Sequence, residues 1–172
     1  MKTVLVQLPV GWIGFHRTEA GLFALTLPEI SGAEALNRLW AWGVDKSWDP
    51  PGHALDDILV HRLGGYFAGR RVDFSDVPID WSGYSPFGRT VLEACRKVPF
   101  GRTITYTALA REVGKPRAAR AVGNALGANR TPLVVPCHRI VRSDGSPGGF
   151  TGGAEWKRRL LLLEGRTDLY RG

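Results

Sequence analysis

At Ser82-Gly83-Tyr84-Ser85-Pro86 the chain changes its pattern, and that change limits what it can fold into. Before it, short apolar runs at 3–8, 11–16 and 22–27 are separated by Pro-Val-Gly and Thr-Glu-Ala-Gly, which predicts an antiparallel meander. Ser31-Gly32 opens a helix through Trp40, and 43–52 reads as a loop. Leu55, Ile58, Leu59, Leu63, Tyr66 and Phe67 recur at helical spacing over 55–68, closed by Gly69, with Asp56 and Asp57 at the positive end of the helix dipole. The stretch 72–81 is a connector. After it short helices take over, so we expect an α+β protein in two parts. Residues 1–84 form a scaffold with a small antiparallel sheet and helices. Residues 85–172 form a mainly helical part with a helix-turn-helix and a short strand leading to a nucleophile.

From Pro86 onward the apolar residues follow a helical period. Phe87, Val91, Leu92 and Cys95 recur at i, i+4, i+5 and i+8, which puts Cys95 on the packed face of a helix ending near Lys97. Pro99-Phe100-Gly101 turns the chain. Thr105 can cap a helix over 106–113 that Gly114 ends. Lys115-Pro116 starts another, with Pro116 at the tolerated first position, running to Leu126. Two short helices joined by Gly-Lys-Pro have the layout of a helix-turn-helix. In the second, Arg117, Arg120 and Asn124 share one face, while Ala119, Val122 and Leu126 supply the packing face. The exposed side is slim, with Ala118, Ala121, Gly123, Ala125 and Gly127, which lets the helix approach DNA closely.

The charge follows the same division. Residues 1–84 hold 7 Lys/Arg against 10 Asp/Glu, a net of −3, whereas residues 85–172 hold 16 against 6, a net of +10. So localised a positive field suits a polyanion, and nucleic acid is the usual one. With 172 residues, 44% of them hydrophobic, the chain has material for a real core. The opening apolar run is too short, and too soon broken by Pro9, for a signal peptide or membrane span. A cytoplasmic protein is expected, or a nuclear one if the source is a eukaryote. Cys95 and Cys137 give neither a disulfide framework nor a thiolate cluster, and His16, His53 and His61 are scattered, so no metal is expected.

The chemistry gathers at Pro136-Cys137-His138-Arg139-Ile140. A thiol with a pKa of about 8.5 is mostly protonated at neutral pH, yet the thiolate is the nucleophile. A reactive cysteine therefore needs a base or a positive charge beside it, and His138, Arg139 and Arg142 are at hand. Leu133-Val134-Val135 reads as a strand that Pro136, with its fixed φ and no N–H, brings to an end, leaving Cys137 at a cleft. On an extended backbone Cys137 and His138 point to opposite sides, so a bridging water or a local bend has to connect them. The competing reading is a buried structural cysteine beside an unrelated histidine. The eleven residues 143–153 include five glycines and predict a loop that walls a pocket beside Cys137. A last helix begins at Glu155 and Trp156, with Trp156, Leu160 and Leu163 inward and Lys157, Arg158 and Arg159 outward. Glu164 at its end opposes the helix dipole and needs a compensating partner, for which His138 and solvent compete.

Four runs resemble the O6-alkylguanine-DNA alkyltransferases: Pro136-Cys137-His138-Arg139-Ile140, Pro99-Phe100-Gly101-Arg102-Thr103-Ile104-Thr105-Tyr106, Arg117-Ala118-Ala119-Arg120-Ala121-Val122-Gly123 and Gly127-Ala128-Asn129. They stand in that family's order and spacing. Tyr66-Phe67-Ala68-Gly69 and Val77-Pro78-Ile79-Asp80 resemble weaker signatures of its N-terminal part. The resemblance implies direct reversal of damage: irreversible, single-turnover transfer of an alkyl group, methyl above all, from O6 of guanine, and from O4 of thymine, in duplex DNA to Cys137. No cofactor is implied. The helix over 117–126 would enter the minor groove, and the base would be flipped into a pocket, since stacked duplex hides the alkylated atom.

Residue by residue, the resemblance implies that Cys137 is the acceptor, His138 its water-linked base, Glu164 the orienting carboxylate and Tyr106 the phenol that protonates the guanine ring. Arg120 would fill the gap left by the base, and Arg117, Ala119, Ala121, Gly123, Asn124 and Thr105 would bind DNA. Asn129, Pro132, Val135, Phe150 and Thr151 would form the substrate pocket. Asn129 is the hinge between helix and nucleophile, Val135 reads the base's amino group through its carbonyl, and Thr151 brings a hydroxyl to the guanine oxygen. Phe150 stands where some members have tyrosine, so stabilisation of the leaving oxygen must come from Thr151 or backbone amides. The N-terminal zinc ligands of vertebrate members are missing. Relatives that bind lesions without repairing them carry tryptophan at the nucleophile position, where this chain has Cys137.

Three functions therefore compete. One is alkyl transfer by a monomer acting on duplex DNA with O6-alkylguanine, away from any membrane, and this is the expectation. A second is a lesion-flagging DNA-binding module in which Cys137 is incidental. A third is a Cys-His-Glu hydrolase or thiol redox sensor, for which the basic helix has no evident use.

Overall fold

The computed structural model describes residues 2–45 and 54–167, so the loop expected over 43–52 lies largely outside the described residues. The chain divides into two compact units, Met1–Ser82 with Arg130–Pro132, and Gly83–Asn129 with Leu133–Gly172. The expected division at 84/85 is therefore crossed by three residues of the later half. Among the described residues no helix is long and apolar enough to cross a membrane.

In the first unit β1 (Lys2–Leu8), β2 (Gly11–Thr18) and β3 (Gly21–Leu25) form an antiparallel sheet in the order β1-β2-β3, as the apolar runs predict. Register runs from Lys2 opposite Arg17 to Leu8 opposite Gly11. Gly11 has φ +135, and a Cβ there would stand 2.7 Å from the Glu29 carbonyl, so this turn admits glycine. The helix α1 (Gly32–Ala41), capped by Ser31, packs on β1 and β2, and Val4, Ile13, Phe15, Leu25 and Leu39 are fully buried. A second helix, α2 (Ala54–Phe67), buries Asp56, which accepts from Arg17 Nε at 2.7 Å and pairs with Lys2 at 3.3 Å. Asp56 thus ties α2 to two strands in addition to facing its own helix dipole. Arg130 joins this unit by its guanidinium, which lies 4.0 Å over the Phe23 ring and donates to the Ser82 carbonyl at 2.6 Å. Its own carbonyl accepts from Leu25 N at 2.8 Å.

The second unit begins with α3 (Pro86–Arg96), whose N-cap Ser85 accepts from Gly88 N and whose Val91, Leu92 and Cys95 are fully buried. Cys95 is core, as its helical position predicts. The strand β4 (Ile104–Thr105) leads into α4 (Tyr106–Glu112), capped by Thr105 Oγ1 accepting from Ala108 N at 3.0 Å. Then follows α5 (Ala119–Gly127), packed against α3 and α4.

Here the structure corrects the expected start of the helix at Pro116. Residues 115–118 make a turn closed by Ala118 N donating to Lys115 O at 2.8 Å, with Pro116 at its second position, where a fixed φ suits a turn as well as a helix start. Arg117 consequently sits in the turn and does not share a helical face with Arg120 and Asn124. The expected strand into the nucleophile is corrected too. Leu133 and Val134 form a turn, with Leu133 at φ +72, and the strand β5 (Ile140–Val141) comes after Cys137, parallel to β4. A left-handed leucine costs about 1–3 kcal/mol and persists where packing over-determines it; Leu133 is 2% exposed. The helix α6 (Gly153–Leu163) ends the unit, with Leu160 and Leu161 buried and Trp156 and Leu163 half-buried.

Candidate functional site

Pro136 is the hinge on which the site turns. Its φ of −80 and ψ of 61 are those of an inverse γ-turn, closed by Cys137 N donating to Val135 O at 2.8 Å. A 3-10 turn, Cys137–Arg139, follows at once. This supplies the bend that the sequence requires between Cys137 and His138, and it sends the thiol into a cavity of about 710 Å³. Tyr106, Arg120, Arg142, Phe150 and Thr151 line that cavity with Cys137, and Ala119, Gly123 and Gly127 keep the α5 wall slim. Ala119, expected on the packing face, therefore faces the cavity, while Val122 and Leu126 are buried.

Cys137 is 5% exposed. Burial pushes its pKa up, while a hydrogen bond from Asn129 Nδ2 at 3.0 Å and the charge of Lys157 pull against that, and the net direction is upward. The resting group is a thiol. Asn129, 2% exposed, also donates from Nδ2 to Val135 O at 2.9 Å, so one side-chain nitrogen joins the chain just beyond α5 to the nucleophile turn.

His138 Nε2 and Glu164 Oε1 lie 2.8 Å apart with both side chains fully buried. Burial lowers the imidazole more than Glu164 raises it, so His138 is neutral near pH 7 and donates from Nε2 to the carboxylate. Its basic lone pair is then on Nδ1. Burial alone would raise Glu164; His138 and Arg139 outweigh it and hold the carboxyl at about 2. Arg139 donates from Nε to Oε2 and from Nη2 to Oε1, both at 2.9 Å, and from Nη1 to Val98 O at 2.6 Å. Gly101 N adds a bond to Oε2 at 3.0 Å. Of the two partners that compete for Glu164 in the sequence, His138 and solvent, the structure takes His138. It also corrects Arg139, whose charge serves Glu164 rather than the thiol.

Tyr106 opens α4 and points its hydroxyl at the loop, donating to Gly149 O at 3.1 Å. Burial raises its pKa, so the phenol keeps its proton. The loop must come close: Gly148 has φ +69, and a Cβ on it would stand 2.9 Å from Tyr106 Cε2. Phe150 meets His138 edge-on with centroids 6.4 Å apart, and Thr151 Oγ1 donates to Gly127 O at 3.2 Å, so the loop expected to wall a pocket does so. On the outer side Arg117, Arg120, Ala121 and Asn124 are exposed.

Residues 86–166 match the family model of the 6-O-methylguanine DNA methyltransferase, DNA binding domain. A methylated-DNA–protein-cysteine methyltransferase of Methanopyrus kandleri is 48% identical over 118 residues, 67% of this chain and 87% of that protein. The chain belongs to this family. A DNA base-flipping protein of Thermus thermophilus is 49% identical over 158 residues, 92% of this chain and 91% of that one. The aligned stretch spans 64% of the length of a methyltransferase of Mycolicibacterium paratuberculosis, at 45% identity over 107 residues, 62% of this chain. Among solved structures, Mycobacterium tuberculosis OGT in complex with DNA matches with a TM-score of 0.77 and 32% identity, covering 95% of this chain and 92% of that one.

Within this methyltransferase-family site, two expected residues stand differently from the sequence reading. The carbonyl of Val135 already accepts from Asn129 Nδ2 and Cys137 N, and Val135 is not among the residues lining the cavity. Pro132 is buried in the first unit and does not line the cavity either. Thr105 caps α4 with its hydroxyl, as its place in the sequence predicts. One residue was missed. Lys157, expected outward, is fully buried, because its ammonium reaches the carbonyls of Ile140 and Gly149. Its neighbours Arg158 and Arg159 are the exposed ones, and nothing in a Lys-Arg-Arg run tells which of the three turns inward.

Proposed function

We infer that this protein repairs duplex DNA by direct reversal, moving an alkyl group, methyl above all, from O6 of guanine, and from O4 of thymine, to Cys137. The observation that carries the reading is the position of the thiol: Cys137 lines the same cavity as Arg120 and the slim wall of α5. A base turned out of the minor groove enters that cavity while Arg120 takes its place in the stack. The His138 lone pair takes the thiol proton through a bridging water. Sulfur attacks the alkyl carbon, a carbon–sulfur bond forms and the carbon–O6 bond breaks. The Tyr106 phenol delivers a proton to the guanine ring, and guanine leaves neutral. Arg117, Ala121 and Asn124 support docking on the backbone from the exposed side of the helix pair. Asn129, Phe150 and Thr151 shape the pocket. The chain acts as a monomer, with no cofactor, where the DNA is: in the cytoplasm, or in the nucleus of a eukaryote.

A thioether on Cys137 is not cleaved by His138 or by water, so the protein is consumed. Product should rise to one equivalent and stop with methylated duplex in large excess. Peptide mass analysis should find one added methyl, on the Cys137 peptide and not on the Cys95 peptide. Repeated turnover, or a methyl on Cys95, overturns the assignment. The similarity to the Thermus base-flipping protein along 92% of the chain favours a second reading, lesion binding without transfer. A mobility shift on O6-methylguanine duplex with no methylated Cys137 would establish that one instead.

A further inference from the structure

Lys157 is fully buried on α6. Its ammonium donates to Ile140 O at 2.5 Å and to Gly149 O at 3.3 Å, and stands 5.7 Å from the centre of the Tyr106 ring. Among the described residues no carboxylate pairs with it. A buried ammonium without a counter-ion is costly, so the surroundings must offer something in return. What its contacts share is the transfer site. Ile140 closes the 3-10 turn of Cys137, its N–H bonded to the Cys137 carbonyl. Gly149 immediately precedes Phe150 and Thr151 in the cavity wall, and its carbonyl accepts from Tyr106 as well as from Lys157.

On the reading that this chain transfers alkyl groups, we propose that Lys157 is a positioning residue with two tasks. Its ammonium fastens the loop at Gly149 to β5 at Ile140, holding the acceptor that aims the Tyr106 phenol. It is also the counter-ion against which the Cys137 thiolate forms.

The groups around the ammonium fit that role. Within its electrostatic reach are Cys137 and the neutral His138 of the 3-10 turn, Cys95 of α3 and Arg142 after β5, and the Tyr106 ring of α4 stands beside it. Its neighbours on α6, Glu155, Arg158 and Arg159, are exposed. Burial lowers Lys157 to about 8, and the charge that pulls hardest against that is Cys137 as its thiolate. Cys95, fully buried, is itself pushed well up by burial and stays protonated. Ionisation of Cys137 therefore gives Lys157 the anion it lacks. Alkylation leaves a neutral thioether, so the spent protein can no longer form that anion beside Lys157.

The test uses Lys157→Gln, which keeps a donor for the two carbonyls but no charge, and Lys157→Met, which keeps neither. Cys137 is labelled with iodoacetamide across pH, and single-turnover transfer is measured from O6-methylguanine duplex. In both variants the labelling midpoint should rise by about one unit or more, so that neutral-pH reactivity falls about tenfold or more and returns as the pH is raised. Lys157→Gln should melt with the parent. A Lys157→Gln midpoint equal to the parent's, or a loss of transfer that is the same at every pH, overturns the proposal. Nitrogen-15 NMR of the Lys157 ammonium in the unmutated protein decides the matter even if neither variant folds. Its resonance should show a step at the pH where Cys137 labelling has its midpoint, and that step should vanish once Cys137 is carbamoylmethylated; no such step overturns the proposal. A parent protein that labels as described but transfers nothing refutes alkyl transfer, while the lysine–thiol coupling stands on its own profile.

Discussion

Asn129 Nδ2 donates to Cys137 Sγ at 3.0 Å and to Val135 O at 2.9 Å, so a single amide group holds the thiol and the turn before it. Asn129 follows α5 by two residues, and its own N–H bonds back to Leu126 O at 3.1 Å. The wall of the cavity and the reactive sulfur are thereby one connected piece.

Asn129→Ala should raise the pH midpoint of Cys137 alkylation, because a donor to the sulfur favours the thiolate. Single-turnover transfer at neutral pH should fall about tenfold or more. Val135 O keeps its bond from Cys137 N, so the stability loss should be modest, about 1–2 kcal/mol by denaturant titration. An unchanged midpoint would show that the amide serves packing alone.

Glu164→Gln tests the buried carboxylate. Its folded pKa of about 2 lies below the ordinary 4.5, so the ionised form stabilises the fold, fully so above about 4.5. That contribution is lost as pH falls through about 2. Chemical denaturation of the parent between these values should therefore show stability falling with pH, and the variant should lack that slope while being less stable at neutral pH. Cys137 labelling should also slow, since a neutral amide oxygen holds the His138 tautomer less firmly than the carboxylate does. Parallel pH–stability curves for the two proteins would remove the charge on Glu164 from the account.

Arg120→Ala separates docking from chemistry. Arg120 is exposed at the cavity rim, and unstacking a base takes a few kcal/mol that an inserted side chain offsets. Transfer from duplex should drop by roughly 50- to 100-fold, while transfer from free O6-benzylguanine changes little. Equal losses on both substrates would place Arg120 in the chemistry or the fold instead.

Tyr106→Phe removes the phenol hydroxyl. The Gly149 carbonyl keeps Lys157, so the loop should stay in place and the melting temperature should hold. Single-turnover transfer should slow by about 100- to 10,000-fold, the usual worth of general acid help. A rate equal to the parent's would exclude the phenol.

Much of this was legible because it depends on neighbours in the chain. Ser31, Ser85 and Thr105 each cap the helix that follows, and the three apolar runs pair as a meander, since caps and two-residue alternation are local properties. Pro116 misled because one fixed φ serves a turn and a helix start equally. Leu133-Val134-Val135 misled because three apolar residues look the same in a strand and in a buried turn.

The sequence by itself determined the α+β element order, the helix pair with its basic exposed residues, and the Cys137-His138 adjacency, because each is written within a dozen residues. It also named Glu164 as a carboxylate in need of a partner. Tertiary structure alone decided which partners meet. Arg139 goes to Glu164 and not to the thiol, Asn129 reaches the sulfur, and Lys157 rather than Arg158 or Arg159 turns inward. These choices depend on where the chain comes back past itself. A buried charge or a buried carbonyl takes whichever partner the fold brings within about 3 Å, and no local pattern records that distance.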